Sequence, residues 1–321
     1  MFIDKINIKN YIYFVDISII RGENIEMSNC NSCPSNGSCN KEQSSCSVVN
    51  NPLNKINKII GVMSGKGGVG KSTVSALIAK NLAKQGYKVG VLDADITGPS
   101  IPRLLGVDKQ RARATEEFIY PAVTADGIKV MSLNLLIENE EEPVIWRGAM
   151  VSNAVKQFYT DVLWEELDYL IIDMPPGTGD VALTVMQSIP INGIVMVTIP
   201  QDMVSMIVTK AVHMVQKLDI DVIGVVENMS YITCPDCVKK IQIFNGENNR
   251  KFLEDMNLNL LGQLPMNSGI GNVSIGIYRD GDEEVEGLFN PIVINMIKSL
   301  EEKEKEKEKE KEKEKEVSGA F

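Results

Sequence analysis

Nine residues, GKGGVGKST from Gly65 to Thr73, constrain this chain more than any other feature. They fit the pattern G-x-x-x-x-G-K-[ST], with Gly65, Gly70, Lys71 and Ser72 at the fixed places. A second lysine, Lys66, directly follows the first glycine. An apolar strand is predicted upstream over Lys58–Met63, and a helix downstream over Ser72–Gln85. The loop therefore falls between a strand and a helix N-terminus, where backbone N–H groups converge and the helix dipole favours negative charge. The expectation is a nucleotide site. The backbone from Gly65 through Gly67, Gly68, Val69 and Gly70 to Thr73 would wrap the phosphates. Lys71 would reach the β- and γ-phosphates, and the Ser72 hydroxyl would ligate Mg²⁺.

Around this loop, apolar strands alternate with helical patterns. Strands are predicted over Lys58–Met63, Lys88–Leu92, Ile128–Leu133, Tyr169–Ile172, Gly193–Thr198, Val222–Glu227 and Asn259–Leu264. Such alternation predicts an α/β fold: a mostly parallel central sheet with helices on both faces. Chemistry should gather at the C-terminal edge of that sheet. The ATPase domain is expected over 55–300. Before it lies a Ser/Asn/Cys-rich segment, 27–54, and after it a Glu/Lys tail, 301–321. The tail has no apolar face from Glu301 to Glu316, and its helix pairings largely cancel, so a solvated, frayed or partly helical tail is expected. Residues 1–26 read as a translated leader or a poorly ordered extension. Arg21-Gly22-Glu23 can be encoded by a purine-rich ribosome-binding sequence just ahead of Met27, which makes Met27 the expected start.

Composition removes several function classes. The formal net charge of -10 offers nucleic acid no electrostatic attraction. No apolar run approaches the ~20 residues needed to span a bilayer, and signal-peptide features are missing, so a cytoplasmic location without membrane partners is expected. The single histidine, His213, lies in a helical stretch over Val204–Leu218 and reads as a packing or surface residue. Catalysis by a histidine base is therefore not expected.

Two acidic motifs extend the nucleotide site. LDADITGPS runs from Leu92 to Ser100, and its Asp93 and Asp95 can face the same way in extended backbone. IIDMPPGTGD runs from Ile171 to Asp180. Asp173 ends a very apolar strand, as an aspartate supporting Mg²⁺ should. The Pro-Pro-Gly-Thr-Gly turn behind it is placed to respond to a γ-phosphate, as switch loops do.

Six cysteines in such a chain read as metal ligands rather than a disulfide framework. Cys234 and Cys237 form C-P-D-C just after a predicted strand. Two thiolates cannot complete a four-coordinate soft-metal site, but a symmetric dimer supplies four about its axis. An iron–sulfur cluster, a zinc ion shared by two chains, and a redox pair all suit these residues. Cys30, Cys33, Cys39 and Cys46, spaced C-x2-C-x5-C-x6-C, read as one metal site per chain, iron–sulfur before zinc, with a flexible thiol-rich tail as the alternative.

The loop with its extra lysine, the D-x-D-x-x-G-P-S and D-x-P-P-G-T-G-D segments, and ENMSYITCPDC from Glu227 to Cys237 together resemble the Mrp/ApbC family of P-loop ATPases. These belong with the deviant Walker A class of MinD/ParA and the nitrogenase iron protein. WRGAM, Trp146 to Met150, is also similar, with Ala149 where the family commonly has proline. The resemblance covers about Ile56 to Ser299. It implies an ATP-hydrolysing carrier or scaffold that delivers 4Fe–4S clusters to apoproteins. By it, Lys66 reaches across a homodimer interface to the partner's phosphates, and Asp95 orients the attacking water. Asp93 and Asp173 hold the Mg²⁺ water shell, Asn228 contacts the adenine, and Cys234 and Cys237 bridge a cluster between two chains. The C-x2-C-x5-C part of the N-terminal set is similar to an extension of eukaryotic cytosolic members. Those members place a fourth cysteine upstream, whereas here Cys46 lies downstream.

Two competing functions are weaker. A MinD/ParA-like positioning ATPase needs membrane or DNA affinity, and no basic amphipathic terminus or basic patch supplies it. A nitrogenase-iron-protein-like reductase would carry its cluster cysteines far apart in sequence.

Overall fold

The computed structural model describes residues 51–96, 98–115, 117–137, 148–200, 202–234, 236–242, 247–267, 269–270 and 283–318. The leader expectation for 1–26, the start at Met27, the four N-terminal cysteines, and Trp146 and Arg147 lie outside these residues.

Seven strands form the body of the sheet, each at a place where an apolar run predicts one. They are β1 (Lys55–Ser64), β2 (Val89–Asp93), β6 (Lys129–Met131), β7 (Glu166–Asp173), β8 (Gly193–Thr198), β9 (Val222–Thr233) and β11 (Leu260–Pro265). Their order is β9-β8-β1-β7-β2-β6, all parallel, with β11 adding in parallel along β9. Short antiparallel strands close the edges: β5 (Ala122–Val123) on β6, and β10 (Lys240–Gln242) on β9. A separate two-stranded ribbon pairs β3 (Arg113–Ala114) with β4 (Ile119–Tyr120). Pairing between neighbours makes these short pieces, so no periodicity in the chain announces them.

The central strands are buried on both sides. All five residues of β2 and the last six of β1 are inaccessible, so helices must cover both faces. The helices are α1 (Lys71–Lys84), the one-turn α2 (Ile101–Leu104), α3 (Gly148–Thr160), α4 (Asp180–Ser188), α5 (Asp202–Lys217), α6 (Glu247–Asp255) and α7 (Glu283–Ser318). Ala76, Ala79 and Ser75 of α1 are fully buried, and small side chains there let the helix lie close to its neighbours. His213 is exposed on α5.

One helix, α7, crosses from the domain into the Glu/Lys tail without a break. Its seam is apolar as far as Leu300, through Val285, Phe289, Ile292, Val293 and Met296. The same face then continues in charge. Glu304 pairs with Lys58, and Lys307 pairs with Asp221 at 2.9 Å. The first turns of the tail are thus helical and held against the sheet's N-terminal edge. Elsewhere, no described helix is long and apolar enough to cross a membrane.

Candidate functional site

Parallel strands bring their C-terminal ends to one edge, and three of those ends build the site. β1 delivers the loop, β7 ends at Asp173, and β2 ends at Asp93, directly opposite Asp173 in the ladder. Gly70 caps α1 in the left-handed region, φ 84°, where a side chain is strained. A Cβ there would also lie 2.3 Å from Asn228 Nδ2. The helix therefore begins at Lys71, and its first turn points at the loop. A cavity of about 210 Å³ lies over it, lined in part by Gly67, Gly68, Gly70, Lys71, Ser72, Thr73, Asp95 and Pro176.

Asp173 is the hub, with no exposed surface. Lys71 Nζ lies 2.8 Å from its Oδ2, and Ser72 Oγ donates to the same oxygen at 2.6 Å. Ser75 Oγ donates to Oδ1 at 2.7 Å. Asp95 is 3.8 Å from the Lys71 ammonium and lines the cavity. Asp93 accepts from the backbone N–H of Asp95 and of Ile101, and from Ser132 Oγ. Burial first, and the charge of Asp173 second, push the Asp93 carboxyl well above the usual carboxylate range, against the pull of Lys71. Two carboxylates held side by side in the interior call for cations. The donors are all hard oxygens, which suits Mg²⁺. Among the described residues no three His, Cys, Asp or Glu side chains form a metal cage. Ser72, Asp93 and Asp173 fit that ion.

Behind Asp173, Gly177 at φ 80° donates its N–H to the Ser64 carbonyl at 2.8 Å. The Pro-Pro-Gly-Thr-Gly turn is thereby tied to the root of the phosphate loop. Lys66 is partly exposed.

β9 reaches the loop from the other flank. Asn228 is buried and donates from Nδ2 to the Val69 carbonyl at 2.9 Å, while its Oδ1 accepts the Met229 N–H. One amide hydrogen of Asn228 is thus committed to bracing the loop. The strand kinks at Met229, φ 53°, and runs on to Thr233, six residues beyond the predicted end at Glu227. Polar Asn228 and Ser230 hide this stretch from an apolar-run reading. Cys234 and Cys237 follow at once, on the turn joining β9 to β10. Cys237 is exposed and Cys234 half-buried. Backbone N–H groups of Cys237 and then Asp236 point at the Cys234 sulfur, and with the Cys237 thiol they hold Cys234 below the usual thiol range. Such donors favour the thiolate over the thiol. Around the pair, Ile232, Val238 and Ile241 are exposed apolar side chains.

The phosphate-loop residues, Asp93, Asp95 and Asp173 are therefore gathered at one edge, while Cys234 and Cys237 stand apart on the hairpin. Sequence reading missed Ser75. Its signal was its spacing, one helical turn after Lys71 and on the same helix face.

Proteins similar to this chain are known. A family model described as ParA, NUBPL iron-transfer P-loop NTPase, matches residues 55–285. An iron–sulfur cluster carrier protein of Clostridium perfringens is 49% identical over 255 residues, covering 75% of this chain and 89% of that one. Another, from Methanococcus maripaludis, is 46% identical over 244 residues, covering 74% and 84%. A nucleotide-binding protein of Archaeoglobus fulgidus, solved in complex with ADP, is similar at a TM-score of 0.62 and 42% identity, covering 69% and 87%. The septum site-determining protein MinD of Pyrococcus horikoshii shares the fold alone, at a TM-score of 0.52 and 20% identity, covering 74% and 94%. With its phosphate loop, its paired aspartates and most of its length matched, the chain belongs to the ParA family of P-loop NTPases, among the NUBPL-type iron-transfer members.

Proposed function

We propose that this protein binds and hydrolyses ATP as a homodimer and carries 4Fe–4S clusters to apoproteins. One observation carries the reading: a single strand, β9, braces the phosphate loop at Asn228 and ends at the Cys234/Cys237 thiol pair. The names of the relatives support the cargo, and the ADP-bound relative supports the nucleotide.

Phosphoryl transfer asks the protein mainly for positioning and positive charge. Loop N–H groups and the α1 N-terminus hold the phosphates. Lys71 leaves Asp173 for the β- and γ-phosphates. Ser72 and the Asp93/Asp173 pair would hold Mg²⁺, which would supply positive charge against the phosphates. Asp95 faces the cavity and orients water. Lys66 completes the partner's site in trans, so turnover waits for dimerisation. The second hydrogen of the Asn228 amide remains for the adenine.

The cluster is cargo. One chain offers two thiolates at the hairpin and a second chain offers two more, with Ile232, Val238 and Ile241 providing apolar surface for the contact. Cys30, Cys33, Cys39 and Cys46 form a separate metal site. Thiolate ligands need a reducing compartment, which for this chain is the cytoplasm. The test is anaerobic reconstitution with iron and sulfide, then transfer to an apoprotein with and without ATP. Nucleotide-dependent transfer is expected. Colourless protein that retains zinc and activates no apoprotein would overturn the reading.

A further inference from the structure

The buried serine one turn into α1 has a use that the phosphate-loop pattern does not contain. Ser75 has no exposed surface, and its hydroxyl lies 2.7 Å from Asp173 Oδ1 and 3.1 Å from the Lys71 carbonyl. A hydroxyl has one proton. The Asp173 oxygen is nearer and belongs to the carboxylate paired with Lys71, so it receives that proton in preference to the carbonyl.

The other partners of Asp173 are of a different kind. Lys71 and Ser72 both hold Oδ2, and both are the groups that a bound nucleotide requires. When they turn to phosphate and metal, Oδ2 loses its two holders together. Asp93, another carboxyl group, stands opposite in the ladder. Without a third restraint the carboxylate would be free to rotate about its side-chain torsion. Ser75 lies deeper than the nucleotide can reach and grips the oxygen that faces away from it.

We infer that Ser75 is a positioning residue: it anchors Oδ1 of Asp173 so that Oδ2 stays aimed at the Mg²⁺ of a bound nucleotide after Lys71 and Ser72 have left. The inference rests on reading the site as an Mg²⁺–ATP centre. A hydroxyl acting through a ligand should show itself in metal affinity, since removing such an outer partner usually weakens metal binding by about 10- to 100-fold.

The experiment titrates Mg²⁺ into the full chain and follows both ATP hydrolysis and equilibrium binding of a fluorescent ATP analogue. Ser75→Ala is expected to shift the Mg²⁺ midpoint upward by about 10- to 100-fold in both readouts. Its affinity for the analogue in EDTA should match that of the unaltered protein. Ser75→Thr keeps the hydroxyl and should restore the midpoint. If Ser75→Ala does not fold, Ser75→Cys, with a weak donor of similar size, should show the same upward shift. An unchanged Mg²⁺ midpoint in a folded Ser75→Ala or Ser75→Cys protein overturns the inference and leaves the serine a packing residue. An unaltered protein that binds no analogue at any Mg²⁺ concentration overturns the reading of the site itself, and the inference with it.

Discussion

The phosphate loop and the cysteine hairpin are joined by one strand but constructed in opposite ways. At the loop, Lys71, Ser75, Asp93 and Asp173 are buried, and among the described residues no buried side-chain nitrogen or oxygen lacks a hydrogen-bond partner. Each polar group there is fixed by the folded chain itself. At the hairpin, Cys237 is exposed, Val238 is 73% exposed, and the described bonds of the turn are local ones, between Cys234 and Lys239, between Val238 and Cys234, and from the N–H groups aimed at the Cys234 sulfur. Geometry that must be ready before a substrate arrives belongs in the core, where packing enforces it. The thiols proposed to hold the cluster sit at an edge, where release would not disturb the fold.

The sharpest way to break this contrast is to remove one charge from the buried end. Lys71→Ala should abolish ATP hydrolysis. It also leaves Asp173 and Asp93 facing each other without their cation, and breaking a buried pair costs about 3–5 kcal/mol. Urea unfolding beside an ATPase assay checks both, and a stability equal to that of the unaltered protein would show that the pair is not as dry as its burial indicates.

A smaller loss is expected from Gly70→Ala. The added Cβ meets the Asn228 amide at 2.3 Å, and the left-handed backbone is strained for any L side chain. Strain of this sort costs about 1–3 kcal/mol, and nucleotide binding should fall with it. Isothermal titration with ADP reads the binding. Retained affinity would mean that Asn228 can yield without moving the loop.

Lys66→Ala should leave folding and nucleotide affinity intact while removing turnover, because the proposed target of Lys66 is on the other subunit. Normal turnover would rule out the role in trans. At the hairpin the effect on the fold should be smallest. Cys234→Ala/Cys237→Ala, made in a chain whose four N-terminal cysteines are also replaced, should change stability by less than about 0.5 kcal/mol. It should still bind ATP, yet dimerise more weakly and hold no iron. Iron kept at the level of the chain with both thiols intact would show that other residues are the ligands.

Much of this was legible along the chain. Each of the seven predicted strands is present in the sheet, because a strand buried on both faces must be a continuous apolar run. The loop was legible because a turn that wraps phosphate has few chemical solutions, and glycine, lysine and serine at fixed spacing are one of them. The far half of β9 was not. Its Asn228 and Ser230 are polar yet buried, and the strand is carried past them by the pairing of Tyr231 with Pro265 of β11 and with β10, and by the bond from Asn228 to Val69, all supplied from elsewhere in the chain. The tail shows the same limit, since Glu304 and Lys307 gain their place from Lys58 and Asp221 across the fold.

Sequence by itself determined the class of fold, the phosphate loop, the aspartates at the strand ends and the presence of a close thiol pair. These are local facts, written in residue type and spacing. Tertiary structure alone decided that Asp93 and Asp173 face each other in the ladder, that Ser75 holds the second of them, and that Asn228 leans on the loop from the strand that carries Cys234. Each of these contacts joins residues far apart along the chain. Side-chain direction at such a contact is set by strand register and helix packing, which exist only once the sheet has formed.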